Sequence, residues 1–354
     1  LLSWGSALAP SPGKNEKRVC RNDTGGFVPN SPTLKTVEIL RHLDQQEPSI
    51  SNPVVTMGSF DGLHLGHRAL LDRVVQQART TGGKSVVLTF EPHPLTVLAP
   101  ARAPRLILSH KDKTLLLRAY GVDVLIIQSF NADFARVEAK DFIDDFLGAR
   151  LKARQVWVGK DFGFGRGRKG RVEDLMQWGA DKGFTVGVMD AVTLDGVRVS
   201  SSLIRQLIES GDIAKANRFL GRAHFVSGRV VYGRQRGKAM GFPTANIRSR
   251  TEVVPGTGIY ATFLEAGERL WESVTSVGYN PTFGPGPKTI ECHAMDFSGD
   301  LYQESVRLYF VERIREERNF ANIHLLVEQI QKDIAAARKI LTGAKMPERV
   351  SMLN

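Results

Sequence analysis

Residues 53–67 read PVVTM-GSFDGLHLGH, and the helix-like stretch HRALLDRVVQQART (67–80) overlaps their end. The run PVVTM is apolar and β-branched, and the turn after it is broken by Gly58, Gly62 and Gly66. Beyond the turn Leu70, Leu71, Val74, Val75 and Ala78 recur at helical spacing. A short apolar strand, a glycine turn and an amphipathic helix form the unit from which parallel sheets are wound. Ligands of such sheets bind at the carboxyl ends of the strands. The turn GSFDGLHLGH occupies that place, and its glycines let backbone approach a phosphate beside the N–H groups of a helix N-terminus. It is neither a P-loop nor a G-x-G-x-x-G fingerprint. His64 and His67 add two donors able to become cationic beside a polyphosphate, where they would stabilise charge on a transferring phosphoryl group. The other reading is one capping and one exposed histidine.

The same alternation continues downstream. SVVLTF, VDVLIIQ, QVWVG and FTVGVMD read as strands. KDKTLLLRAY, AKDFIDDFLG and VEDLMQWGADK read as helices between them. Short apolar strands separated by helices predict an open α/β domain with a parallel sheet covered on both faces. Residues 201–222 predict two short helices broken at Gly211. After them FVSGRVVYG, GIYATFLEA, RLWESVTSVG, KTIECHAMDF and SVRLYFVERI are strand-like and bounded by Gly, Pro and Asn, which predicts an antiparallel sandwich or barrel. A helix over about 322–341 ends the second unit.

The predicted organisation is therefore a Pro/Gly/Ser-rich disordered extension (1–33), an α/β domain with connecting helices (34–222), a β domain (223–343) and a tail (344–354). A chain of 354 residues suits two domains better than one continuous core. No apolar run of 18 residues occurs, so no membrane helix or membrane partner is expected. The lone cysteines Cys20 and Cys292 form no CxxC pair, which suits a reducing, cytoplasmic setting. A formal charge of +11 favours anionic partners: nucleic acid, small polyphosphates, or none beyond a solubilising surface.

Two further stretches carry polar groups suited to nucleotides. VRVSSSLIR (197–205) opens a helix with Ser200, Ser201 and Ser202, which would cap it or bond phosphate oxygens, and Arg205 lies one turn in as a phosphate clamp. In SGRVVYGRQRGKAMGFPTAN (227–246), Gly233, Gly237 and Gly241 would admit phosphates close to backbone, and Lys238 adds charge. Thr244 and Asn246 face one way in extended chain and offer hard oxygens to Mg²⁺ bridging ATP oxygens. A polar turn in a β protein is the alternative.

Together G-x-F-D-G-x-H-x-G-H, F-x-P-H-P (90–94), G-x-D-F-x-F-G (159–165) and R-V-S-S-S-x-I-R (198–205) resemble the bacterial bifunctional riboflavin kinase/FMN adenylyltransferase (FAD synthetase) family. G-x-V-V-x-G, G-F-P-T-A-N, V-P-G-x-G-I-Y-A (254–261), V-G-Y-N-P-T-F-G (277–284) and T-I-E-C-H (289–293) resemble its kinase module. The family usually has S-S-T where this chain has Ser200–Ser202, which keeps the hydroxyl. Class I aminoacyl-tRNA synthetases share a related H-x-G-H, but their K-M-S-K-S loop is missing here.

The resemblance implies a Rossmann-like nucleotidyltransferase domain followed by an antiparallel β-barrel kinase domain. It implies Mg²⁺, with ATP, riboflavin, FMN and FAD as substrates or products. ATP would meet the loop residues Gly58, Phe60, Asp61 and Gly62 and the polar groups His64, His67, Ser201, Ser202 and Arg205, with His64, His67 and Arg205 acting in the transfer. Flavin would lie by Phe90, His93, Asp161, Phe164 and Arg198. In the kinase, ATP would meet Gly233, Gly237, Lys238, Gly241, Thr244 and Asn246, the last two holding the metal. Glu291 would be the general base, sharing a strand face with His293 while Cys292 points away. Small-molecule partners, no nucleic acid, and a possible homo-oligomer complete the expectation. A kinase with an inactive or altered first module, or a basic nucleic-acid binder using RGRKGR (166–171), are the alternatives.

Overall fold

A computed structural model describes residues 36–45, 47–233, 237, 240–279 and 288–347. The extension 1–33, Cys20, Lys238, most of 277–284 and residues 348–354 of the tail lie outside the described residues.

Six parallel strands make the first sheet: β1 (Glu38–Arg41), β2 (Val54–Met57), β3 (Ser85–Glu91), β4 (Val124–Ser129), β5 (Gln155–Gly159) and β6 (Thr185–Met189), in the order β1-β4-β3-β2-β5-β6. Helices cover both faces, so β2 is buried at every position and is apolar but for Thr56. Helix α1 (Leu65–Thr80) turns the five predicted apolar residues inward. It begins two residues before the predicted start, because His64 caps it. The edge strand β1 was not legible: EILR is four residues long and largely exposed, and only pairing with β4 makes it a strand.

Along the chain follow α2 (Pro94–Leu98), α3 (His110–Ala119), α4 (Ala139–Asp141, continuing π-helically as Phe142–Arg150) and α5 (Val172–Asp181). The small hairpin β7 (Thr193–Leu194) and β8 (Val197–Arg198) then leads into α6 (Ser201–Ser210) and α7 (Ile213–Leu220). Gly211 ends α6 at φ 87°, the left-handed cap that a glycine adopts without Cβ strain.

The second unit is a closed antiparallel barrel, which decides between the two predicted β architectures. Its strands are β9 (His224–Val231), β10 (Ala245–Ser249), β11 (Gly258–Ala266), β12 (Arg269–Gly278), β13 (Thr289–Ala294) and β14 (Ser305–Arg315), closed in the order β10-β13-β12-β11-β14-β9. Helix α8 (Ile323–Thr342) packs on β11, β12 and β14.

The expectation of separate cores needs correction. One buried apolar cluster joins Leu71 and Leu116 of the sheet layer to Phe225 and Phe263 of the barrel. Another joins Ile107, α6 and α7 to Val226, Tyr260 and Phe310. Backbone bonds cross as well, from Val253 N–H to Leu106 O (3.1 Å) and from Gly256 N–H to Ile208 O (3.0 Å). The α6–α7 pair is therefore shared packing, not a linker.

Two candidate active sites

From β2 the chain winds through β3 and β4 toward one edge of the sheet, while β5 and β6 lie on the other side. The loops leaving β2 and β5 thus diverge at a topological switch point, where α/β sheets open a crevice. A cavity of about 300 Å³ lies there. Gly58, Phe60, His64 and His67 line it from the β2 loop, Asp161 from the β5 loop, and Arg198 and Ser201 from the entry to α6. These seven predicted residues come from stretches up to 143 positions apart and meet in one place.

His64 accepts the His67 N–H at its Nδ1 (3.3 Å), capping α1. With Nδ1 accepting, the neutral ring carries its proton on Nε2 and offers a donor there. The two imidazoles stack 3.7 Å apart, and His67 meets Phe60 edge-on at 5.2 Å. Nδ1 of His67 is buried without a hydrogen-bond partner. Burial, aided by the positive charge of Arg222, pushes His64 down to about 4. Burial and the neighbouring His64 push His67 well below its ordinary value. In the unliganded chain burial first, and the repulsion of two stacked imidazolium ions second, favour neutral rings, and the expectation of cationic donors applies to a bound polyphosphate.

His224, fully buried at the barrel entrance, is likewise pushed down to about 3 by burial. These three histidines take up protons near 6.5 when unfolded but not when folded, so stability falls as pH drops from about 6.5 toward 4. The slope is about 1.4 kcal/mol per pH unit for each histidine. Urea unfolding at pH 7 and pH 5 should show a loss of several such units, and His224→Phe should flatten the profile. A profile already level in the native protein would contradict the burial argument.

Other predicted residues stand elsewhere. Asp61 is buried, and its Oδ1 accepts the N–H groups of Ile107 (2.9 Å) and Leu108 (3.4 Å). Arg205 donates to Asp61 Oδ2 (2.9 Å) and to the Arg105 carbonyl (2.7 Å). Both lie behind the loop as ties to α6, outside the cavity. Gly62 turns its carbonyl to Arg222, and Ser202 is exposed beyond the cavity wall. Phe164, expected near flavin, is buried against Phe142 (6.0 Å), while Phe162 lines the cavity. Phe90 packs on Phe130 and Phe134, and His93 caps α2. Burial and the nearby Lys113 and Arg205 charges push His93 down, against the opposing pull of Asp61, and His93 does not line the cavity. Asp161 and Arg198 pair at 2.5 Å, both exposed. Such a pair holds by about 1 kcal/mol or less, so a ligand can part it.

In the barrel, Asn246 of β10 lies directly opposite Glu291 of β13. Opposed residues of adjacent strands share a face, and Thr244 precedes Asn246 by two positions. A hydroxyl, an amide oxygen and a carboxylate therefore gather on one face. Thr244 and Glu291 border a cavity of about 920 Å³ whose far wall is Phe320 and the α8 residues Ile323, Leu326 and Ile330. Thr244 also borders a second cavity, about 500 Å³, against Phe297–Tyr302. The glycines of the turn are also required by packing. A Cβ on Gly233 would overlap the Asn246 amide, and one on Gly237 would overlap the Phe242 carbonyl. These two make room for site residues, while Gly241 (φ 83°) supplies the turn.

The family model for FAD synthetase matches residues 46–203, and that for riboflavin kinase matches residues 220–341. The bifunctional riboflavin kinase/FMN adenylyltransferase of Pseudomonas fluorescens is 36% identical over 86% of this chain and 98% of that protein. The chain belongs to the bifunctional riboflavin kinase/FMN adenylyltransferase family. The protein of that name from Bacillus subtilis is 35% identical over 85% of this chain and 96% of its own length. Among solved structures, one described as a macrolide-efflux protein from Streptococcus pneumoniae superposes with a TM-score of 0.78 at 29% identity, over 85% of this chain and 99% of that one. No helix among the described residues is long and apolar enough to cross a membrane.

Three residues that the sequence reading left out of the candidate sites line the two cavities. Gly66 is one: a Cβ there would press on the His64 ring at 3.3 Å, and the H-x-G-H spacing already marked it. Phe162 is the second, since alternation along the β5 loop does not say which aromatic faces in. The third is His293, whose Nδ1 lies 2.9 Å from the Pro243 carbonyl and steadies the P-T-A-N turn. Its position two residues after Glu291 was the available signal.

Proposed function

We propose that residues 223–343 phosphorylate riboflavin with ATP and that residues 34–222 transfer AMP from ATP to the FMN so formed, releasing pyrophosphate. The observation that carries this reading is that each of two matched family domains holds its own cavity, with chemistry suited to its own step.

In the barrel, the flavin lies in the 920 Å³ cavity against α8, and ATP approaches from the 500 Å³ side, with Thr244 between them. Both volumes lie near the range of small-molecule sites. Glu291 accepts the proton of the ribityl hydroxyl as its oxygen bonds the γ-phosphorus, and the bond from that phosphorus to the departing ADP breaks. Among the described residues no three His, Cys, Asp or Glu side chains cluster as a metal cage. Thr244 and Asn246 offer neutral oxygens, which fits Mg²⁺ held chiefly by nucleotide phosphates. When bound there, the ion supplies neutralisation of phosphate charge.

In the first domain a phosphate oxygen of FMN attacks the α-phosphorus of ATP, and the bond to pyrophosphate breaks. The cavity beside His64, His67 and Ser201 takes the triphosphate, and the His93 side of the loop takes FMN. The Nε2–H of His64 and the N-terminus of α1 face the charge that develops. Arg198 and Asp161 part to admit ligand. Riboflavin, ATP and Mg²⁺ incubated with the protein should yield FMN first and FAD later, followed by chromatography. His64→Ala should leave FMN formation intact and lower FAD formation about 10²- to 10³-fold. Equal loss of both products would mean that the two sites are not separate.

Small molecules are the partners in this reading. The basic loop 159–171 is built into the fold: Phe164 anchors it, Arg166 pairs with Glu138 (3.3 Å), and Arg168 donates to the Asp161 carbonyl (3.3 Å). This favours a cleft wall over a nucleic-acid arm. A buried free thiol at Cys292 agrees with a cytoplasmic setting.

A further inference from the structure

The histidine loop is bent in a way its own sequence does not favour. Phe60 (φ 47°) and Leu63 (φ 43°) both adopt left-handed backbone, flanking Gly62 (φ 82°). Such conformations cost non-glycine residues roughly 1–3 kcal/mol each and persist only where surroundings over-determine them. The surroundings here are side-chain donors aimed at the loop's carbonyls. Lys113 Nζ donates to Ser59 O (2.7 Å), Ser201 Oγ to Asp61 O (2.8 Å), and Arg222 Nη2 to Gly62 O (2.8 Å).

Two of these donors are cations tied to the barrel, Lys113 buried and Arg222 half-buried. Arg222 lies between α7 and β9, with its guanidinium 5.1 Å from the Phe225 ring centroid. The guanidinium of Arg307, on β14, lies 4.7 Å from the same ring. Arg307 pairs with Asp112 of α3 (3.2 Å), which also accepts Ser227 Oγ of β9 (2.9 Å). Asp112 immediately precedes Lys113. Two routes therefore lead from the barrel wall to the loop that carries His64: Arg307–Asp112–Lys113 to Ser59, and Phe225–Arg222 to Gly62.

We propose that Lys113 and Arg222 are positioning residues for adenylyl transfer, through which the barrel fixes the backbone of the histidine loop. This rests on the reading of that loop as the adenylyltransferase site. The barrel thus serves two reactions: it houses one and forms the rigid back wall of the other. Misplacing a reacting group by an ångström costs about 10²-fold in rate, so loss of either tie acts on turnover.

The test uses the full chain. Lys113→Met and Arg222→Met each keep an unbranched apolar stem and remove the donor. FMN formation from riboflavin and FAD formation from supplied FMN are measured separately, with kcat and KM for each. The expected result is a fall of about 10²-fold in kcat for FAD, KM values for FMN and ATP within about threefold, and kinase turnover within about twofold. Arg222→Lys, which keeps a donor, should recover at least tenfold of the loss. Ring titration of His64 by NMR should move upward from about 4 in Arg222→Met, since a positive neighbour is removed. Unchanged FAD turnover in both Met variants overturns the proposal. A fall in kinase turnover proportional to that in FAD formation, or a loss confined to KM, also overturns it, since the residues then only hold the fold or the ligand. Failure of the unsubstituted protein to make any FAD would instead defeat the reading of the loop, before any variant is made.

Discussion

Glu291→Gln should lower FMN formation by about 10²- to 10⁴-fold, the range of a positioned general base, while the protein continues to convert supplied FMN to FAD. The amide keeps the shape and one acceptor oxygen of the carboxylate but cannot take up the ribityl proton. Its place argues for the role. Glu291 lies across the β10–β13 ladder from Asn246, at the edge of the large cavity, where nucleotide and flavin would meet. Turnover with riboflavin measures the first reaction and turnover with FMN the second. A variant that retained more than a tenth of its kinase turnover would remove Glu291 from that role.

Arg307→Met should cost about 3–5 kcal/mol of stability, the price of leaving buried charge without its partner. Arg307 is 1% exposed and pairs with Glu265 (3.1 Å) and Asp112 (3.2 Å), themselves 0% and 3% exposed. Tyr309 adds its hydroxyl to Glu265 at 2.7 Å. Burial and the Glu265 carboxylate push the Tyr309 phenol strongly upward against the opposing charge of Arg307, so it stays protonated as the donor. Removing the cation strands two carboxylates in the interior between sheet and barrel. Urea unfolding should show the loss as a lower midpoint. Replacing Arg307, Asp112 and Glu265 together by apolar residues should return much of it, since a matched apolar set often equals a buried ion triad. A single variant as stable as the native chain would mean that water reaches the network.

Much of this protein was legible in one dimension. The helical period of 67–80 named the five residues that α1 buries, and the change of texture after residue 222 marked the passage to β structure. Both are local periodicities set by which face of an element meets the core. The motif histidines, Ser201, Asp161 and Arg198, singled out in the sequence as candidate site residues, share a cavity. Phe164, Asp61 and Arg205 lie away from the cavity lining, and sequence alone does not foresee it. Aromatic and charged residues near a site motif read alike whether they face a ligand or one another. Only packing showed Phe164 under the loop and Asp61 and Arg205 spent on each other.

The sequence by itself determined the two modules, their order, and the residue types of both sites, because strand and helix periods and motif spacings are written in neighbouring positions. The tertiary structure alone decided the closed barrel, the core shared across the modules, the stacking of the two histidines, and the ties from Lys113 and Arg222 to the loop. Each of these depends on burial or on partners distant in the chain. KDKTLLLRAY reads as a helix with solvated charges until Asp112 and Lys113 are found against the barrel and the histidine loop.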